Sequence, residues 1–239
     1  MDLNIVNNEE KFLAGELEGY TLKGAENKFD NKGNALPFPG CTIISNIPLN
    51  TDLSDQIISL QKKIKNFNPE KTYFYLPPSS FHMTLFDCCN LNTKNTDNWP
   101  SNIDPDMDYK DIAIELNNRI KDYIFPEELN LKLKMFFGGY SIILEPFSEK
   151  DEKILRNCRD ELSSLLKIKF ENHQRYTFHI TLAYILRELN QIEIKNLIEF
   201  NKQLSFEFSK KIPKITFTKP EMCTFEDMLE FKTINPSSL

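Results

Sequence analysis

The sequence predicts an α+β fold built from two comparable halves. Three observations carry this: strand and helix patterns follow one another along the chain, one short stretch recurs about a hundred residues later, and the composition is that of a folded chain. Of 239 residues, 40% are hydrophobic and 27% charged, with 19 Phe and 8 Tyr. That is ample for a core and excludes a disordered tail.

Residues 1–36 are polar and rich in Gly, Asn and Lys, and read as a loosely structured arm ahead of a single domain over 37–239. Leu36-Pro37-Phe38-Pro39-Gly40 is a turn-forming break, and Cys41–Ser45 after it reads as a buried strand. Leu53, Ile57, Leu60 and Ile64 recur at helical spacing behind a Thr51/Asp52 start. Thr72–Tyr75 predicts a strand closed by Pro77-Pro78, and Ser80–Phe86 another. Residues 90–108, rich in Asn, Asp and Pro, predict a long surface excursion. Ile112, Leu116, Ile120 and Ile124 mark a second helix.

The second half repeats the theme. Leu131–Met135 alternates as a half-buried strand does, and Gly138-Gly139 turns it into a hairpin with Tyr140–Glu145. Ser148 and Asp151 resemble a capping box before a helix bearing Ile154, Leu155, Cys158, Leu162 and Leu165. Tyr176–Tyr184 predicts a strand, and Ile194, Leu197 and Ile198 a short helix. Phe206–Phe208, Lys214–Phe217 and Met222–Phe225 are candidate closing strands.

Charge and cysteine usage narrow the function classes. Lys and Arg number 29 against 35 Asp and Glu, a net charge of −6, and neither half is basic. Long duplex nucleic acid is thereby disfavoured as a partner, since gripping many phosphates takes excess cations. A small or short phosphorylated ligand stays open. Five cysteines form no CxxC pair, which suits small buried hydrophobes in a reducing compartment. No apolar run approaches the roughly 20 residues of a membrane span, and Met1-Asp2-Leu3-Asn4 lacks the regions of a signal peptide. The expectation is a cytoplasmic chain with no membrane partner.

The repeat carries the chemistry. Phe81-His82-Met83-Thr84-Leu85 recurs as Phe178-His179-Ile180-Thr181-Leu182, 97 residues on. In a strand, residues i and i+2 share a face. Phe81, Met83 and Leu85, like Phe178, Ile180 and Leu182, therefore form apolar faces, while His82, Thr84, His179 and Thr181 lie on polar ones. Two such strands facing each other across a groove present two imidazoles and two hydroxyls. With an unperturbed pKa of about 6.5, one ring can serve as general base while the other, protonated, serves as general acid. Thr84 and Thr181 can donate to the non-bridging oxygens of a phosphodiester, where charge builds in the transition state.

No metal or cofactor is needed for this chemistry, and three histidines without an HxH or HxxxH pair make a poor metal shell. A lone strand histidine is more often structural, and His173 is read that way. For His82 and His179 the structural alternative demands two coincidences in matched contexts. Cys88-Cys89 beside the first motif is discounted as a nucleophile, because nothing positions a base on either thiol.

The paired His-x-Thr strands, in Leu76–Phe86 and Arg175–Tyr184, resemble the signature of the two-histidine (2H) phosphoesterase superfamily, and in particular a little-characterised branch of it. The resemblance implies a bilobal duplicated fold of two antiparallel sheets backed by helices around a central groove, with pseudo-twofold symmetry. It implies His82 and His179 as catalytic residues and Thr84 and Thr181 as phosphate-binding residues in that groove. Phe86, on the same face as His82, is a candidate for stacking on a base, with ordinary packing as the alternative. Tyr184 occupies a position where relatives often carry a groove aromatic, although strict alternation sends it to the core unless a bulge intervenes. Tyr75, Phe38 and Tyr140 are further aromatic candidates, and Arg175 is a candidate phosphate or base contact.

The expected activity is metal-independent hydrolysis of a 2′,3′-cyclic phosphate or a 2′-linked nucleotide or RNA end. The alternatives are degradation of cyclic or 2′–5′ oligonucleotide messengers, and a nucleotide-binding module without turnover.

Overall fold

The computed structural model describes residues 1–20, 27–30, 32–68 and 71–234. Among them the strands are β1 (Gly40–Asn46), β2 (Tyr73–Tyr75), β3 (His82–Asn90), β4 (Glu128–Phe137), β5 (Ser141–Pro146), β6 (His179–Thr181), β7 (Ala183–Ile185), β8 (Ile215–Thr218), β9 (Glu221–Phe225) and β10 (Lys232–Thr233). The helices are α1 (Leu3–Asn7), α2 (Glu9–Leu13), α3 (Asp52–Phe67), α4 (Tyr109–Arg119), α5 (Glu149–Leu166) and α6 (Gln191–Lys211). An eight-stranded antiparallel sheet runs β10-β9-β1-β3-β6-β5-β4-β8, and β2 pairs with β7 in a small second sheet. Ser45 Oγ donates to Thr218 O at 3.0 Å, so the edge strand β8 curls back over β1.

Local chemistry explains the elements that frame the site. Thr51 caps α3 through a reciprocal capping box with Ser54. Ile57, Leu60 and Ile64 turn inward, where Phe81, Met83, Leu85, Phe178 and Ile180 meet them in the main core. Ser148 caps α5 by accepting from Asp151 N. Gly138 and Gly139, at φ +58° and +66°, take left-handed conformations that suit glycine at the β4–β5 turn.

The α+β class is as expected, but the motif strands do not face each other from separate sheets. They lie edge to edge at the centre of the large one, with Met83 opposite Ile180. The strand expected over Tyr176–Tyr184 breaks at Leu182, whose N–H donates to Tyr140 O at 2.7 Å. The chain thus leaves the large sheet after Thr181 and joins β2 as β7.

The short helix expected around Ile194 and the strand expected at Phe206–Phe208 are one helix, α6. Asn190 and Glu193 form a full capping box at its start. Ile194, Leu197, Asn201, Leu204 and Phe208 are buried at three- and four-residue spacing while Phe206 points to solvent. The helix expected to reach Ile124 ends at Arg119, leaving Ile124 exposed.

The stretch expected as a loose arm is packed where it is described. Val6, Phe12 and Leu13 bury against Phe137, Tyr140, Ile185 and Leu197, and Phe29 stacks on Phe74 with centroids 4.3 Å apart. Residues 21–26 and 31 of that stretch lie outside the described residues. Of residues 90–108, Asn90 ends β3 and the rest contain turns and no strand or helix, yet they are anchored: Trp99 Nε1 donates to Ile103 O, and Ile103 is buried. Among the described residues no helix is long and apolar enough to cross a membrane.

Candidate active site

The strand pleat sets His82, Thr84, His179 and Thr181 on one face, each half-buried, and sends Phe81, Met83, Leu85, Phe178, Ile180 and Leu182 into the core. Antiparallel pairing about Met83 and Ile180 brings His82 beside Thr181 and Thr84 beside His179. Such cross-strand neighbours have Cβ atoms about 5 Å apart, and the two imidazoles sit on the longer diagonal of about 7 Å. All four side chains line one groove of about 140 Å³. Its apolar wall comes from Phe38, Tyr184, Phe225, Met228 and Phe231, and its polar lining includes Lys28, Thr42, Asp87 and Asn90. The Phe231 ring lies 4.2 Å from the His82 ring, and Lys28 Nζ sits 5.0 Å from the Tyr184 ring and 5.1 Å from that of Phe38.

Both imidazoles are oriented in the same way. His82 Nδ1 lies 2.7 Å from Ser80 O and His179 Nδ1 lies 3.0 Å from Thr177 O, in each case the carbonyl two residues upstream. A carbonyl only accepts, so Nδ1 holds the proton and Nε2 is left as the free nitrogen of each neutral ring. The Met1 amine donates to Thr177 O at 3.2 Å and lies 3.3 Å from His179 Nδ1.

Burial pushes His82 down to about 4, against the raising effects of the Ser80 carbonyl and Asp87. Burial, followed by the Met1 amine, holds His179 well below the usual imidazole range, with smaller lowering from His82 and Lys28 and a raising effect from the Thr177 carbonyl. The expectation of one ring protonated near neutral pH with little tuning is therefore corrected. Both rings are thus neutral at pH 7, and an anionic ligand has to bring the charge that makes a proton on one ring favourable.

Not every candidate reaches the groove. Phe86 is fully buried between Phe170, His173 and Arg159. The pairing of β1 with β3 slips between Ile43 and Ile44, so that Ile44 opposes Thr84 and Ile43 opposes Phe86. This bulge shifts the side-chain phase, and Asp87 takes the groove position that alternation assigns to Phe86. Tyr75 stands in the small sheet with its hydroxyl accepting from Asn68 Nδ2 at 3.1 Å, away from the groove. Arg175 pairs with Asp2 at 3.4 Å on the rim of another depression, of about 390 Å³. That depression holds neither motif histidine, and much of its charge is self-paired, Lys132 with Glu145 and Arg156 with Glu152.

Tyr184 does reach the groove, because the break at Leu182 supplies the change of phase that strict alternation lacked. Phe38 also lines it, whereas Tyr140 belongs to the core. His173 is buried with Nε2 2.8 Å from Asp160 Oδ1, a structural contact. Lys28, Asp87, Asn90 and Phe231 were not legible as site residues. The only hint at Lys28 is its place beside Phe29, an apolar residue in a polar stretch.

Residues 28–138 match the family model 2H-phosphodiest, described as a domain of unknown function, DUF1868. No curated protein matches the chain. Among solved structures the chain is similar to the crystal structure of a conserved protein of unknown function, ATU0111, from Agrobacterium tumefaciens strain C58. The two share 19% identity with a TM-score of 0.88 over 95% of this chain and 97% of that one, a likeness of fold. The matched segment contains the first His-x-Thr strand, and the second is paired to it edge to edge, an arrangement that supports membership of the two-histidine phosphoesterase superfamily.

Proposed function

We propose that the protein is a metal-independent phosphodiesterase that opens a 2′,3′-cyclic phosphate, or cleaves a 2′-linked nucleotide or RNA end, by general acid/base catalysis from His82 and His179. The observation that carries this reading is the pair of imidazoles on one groove face, each with Nδ1 tied to the carbonyl two residues upstream and Nε2 free, alternating with two threonine hydroxyls.

In hydrolysis of the cyclic ester, one neutral ring takes a proton from water as the water oxygen bonds to phosphorus. The P–O bond to one ribose oxygen breaks, and the other ring, protonated in the complex, gives its proton to that oxygen. The pair ends with the proton count it began with, and the product is a nucleoside monophosphate. Thr84 and Thr181 donate to the non-bridging oxygens, whose charge grows along the way. Tyr184, Phe38 and Phe231 offer aromatic faces to a base. The groove of about 140 Å³ suits a mononucleotide-sized ligand better than a long oligonucleotide.

The recurrence of the motif in adjacent strands supports reading the domain as a duplicated, bilobal unit with a pseudo-twofold axis between Met83 and Ile180. All five cysteines are buried and unpaired, which supports a reducing, cytoplasmic setting.

The test is a panel of 2′,3′-cyclic mononucleotides, RNA ends and 2′–5′ oligoadenylates, assayed with and without EDTA. His82→Ala and His179→Ala are each expected to lower kcat/KM by about 10²–10⁴-fold, with chelation leaving the wild type unaffected. Tight binding of a nucleotide that stays intact for hours would establish a binding module instead, and loss of activity on chelation would establish metal chemistry.

A further inference from the structure

The bulge that delivers Asp87 is pinned from behind. Tyr176 Oη donates to Thr84 O at 3.2 Å, and Arg159 Nη1 donates to Leu85 O at 2.6 Å, so two successive carbonyls at the slip are held. The Arg159 guanidinium lies 3.8 Å from the Tyr176 ring centroid and 5.4 Å from that of Phe86. It is 2% exposed, and its Nε meets no acceptor. Among the described residues no carboxylate forms an ion pair with it. Asp87, on the groove side of β3, is one of the groups whose charge offsets its burial. An arginine kept dry without a paired carboxylate is expensive, and needs a reason beyond packing.

The groove itself is close to charge balance. Among the described residues lining it, Lys28 is the one lysine or arginine and Asp87 the one carboxylate. A site that grips several phosphates gathers surplus cations; this one places a carboxylate on the same strand face as His82.

We propose that Asp87 selects the charge of the substrate, admitting a phosphodiester with a single negative charge and disfavouring one that carries a second phosphate, and that Arg159 and Tyr176 are the positioning residues that hold Asp87 on the groove face. This deepens the phosphodiesterase reading and rests on it for the turnover assay. A second phosphate about 7 Å from a carboxylate, in surroundings between protein surface and water, is disfavoured by about tenfold at low salt.

The experiment compares a nucleoside 2′,3′-cyclic phosphate with the same compound bearing a 5′-phosphate, in wild type, Asp87→Asn, Arg159→Lys and Tyr176→Phe. The wild type is expected to prefer the singly charged compound by about tenfold in kcat/KM at low ionic strength, a preference that shrinks as salt is added. Asp87→Asn should bring the ratio to about twofold or less, since its amide carries no charge. Tyr176→Phe, which removes one hydroxyl and leaves the ring packed, should move the ratio in the same direction, as should Arg159→Lys. A role confined to packing would lower stability in these variants and leave the ratio where it was.

An unchanged ratio in Asp87→Asn overturns the proposal, as does a wild type with no preference. If neither compound is turned over, the phosphodiesterase reading fails separately. The same ratio is then read from dissociation constants, and failure of both compounds to bind also overturns the proposal.

Discussion

Gln61 offers the sharpest test of how the groove wall is built. Its side-chain amide, buried on α3, donates from Nε2 to Leu76 O and to Leu182 O, each at 2.8 Å. Leu182 is where the chain leaves the large sheet, and Leu76 follows β2, so one amide joins the helix to both strands of the small sheet. Gln61→Met keeps length and volume and removes the donors.

The two carbonyls then fare differently. Leu182 O still accepts from Leu76 N at 2.9 Å and loses one of two partners, a net loss of about 1 kcal/mol. Leu76 O loses the amide and stays buried, which costs about 1–3 kcal/mol. The sum is about 2–4 kcal/mol, or a fall in Tm of about 5–15 °C for a domain of this length. Urea unfolding followed by circular dichroism measures it, with the midpoint falling and the m-value unchanged. A loss below about 1 kcal/mol would show that water or a backbone shift replaces the amide, and that Gln61 does not hold the junction.

Two further outcomes follow from burial. In the proposed mechanism the reacting form carries one proton shared between the imidazoles, and kcat/KM reports the free protein. With His82 pushed down to about 4 and His179 held well below the usual imidazole range, that proton is lost as pH rises, so kcat/KM should fall by about tenfold per pH unit from pH 5 to 8. A kcat/KM optimum at or above pH 7 would contradict this, while kcat, measured with the anion bound, should vary less.

Glu9, pushed up to about 7 by burial while accepting from Gly138 N at 2.6 Å, gives a stability signature. The folded state keeps a proton that the unfolded chain loses near 4.5, so this contribution is complete below 4.5 and lost as pH rises through 7. Glu9→Gln should be more stable than wild type at pH 8 by about 2–3 kcal/mol and nearly equal to it at pH 4.5. Denaturation midpoints at the two pH values decide it, and parallel curves refute it.

What the sequence revealed and what it hid divide along physical lines. Period-two alternation around both histidines sorted apolar from polar neighbours correctly over Phe81–Leu85 and Phe178–Leu182, because burial on one face imposes that period. The helix carrying Ile57, Leu60 and Ile64 was legible from its stripe and its cap. The pattern failed beyond Leu85, where the partner strand sets the bulge and a clamp from α5 holds it. No local residue type marks that slip, so Phe86 was expected in the place that Asp87 takes.

At α6, three phenylalanines within nine residues suggested strand propensity, while the Asn190/Glu193 capping box, present in the sequence, marked the true start. The packing of α1 and α2 was hidden by the polar average of residues 1–36, in which Val6, Phe12 and Leu13 are few but fully used.

The orienting acceptor of each imidazole is a main-chain oxygen two positions upstream, just before its own strand begins, at Ser80 and at Thr177. Many catalytic histidines borrow a carboxylate from elsewhere in the chain for this purpose, and lose their aim when that residue is replaced. Here a segment of five residues is self-sufficient. Copying the segment copies an aimed ring, whatever side chains surround its new location.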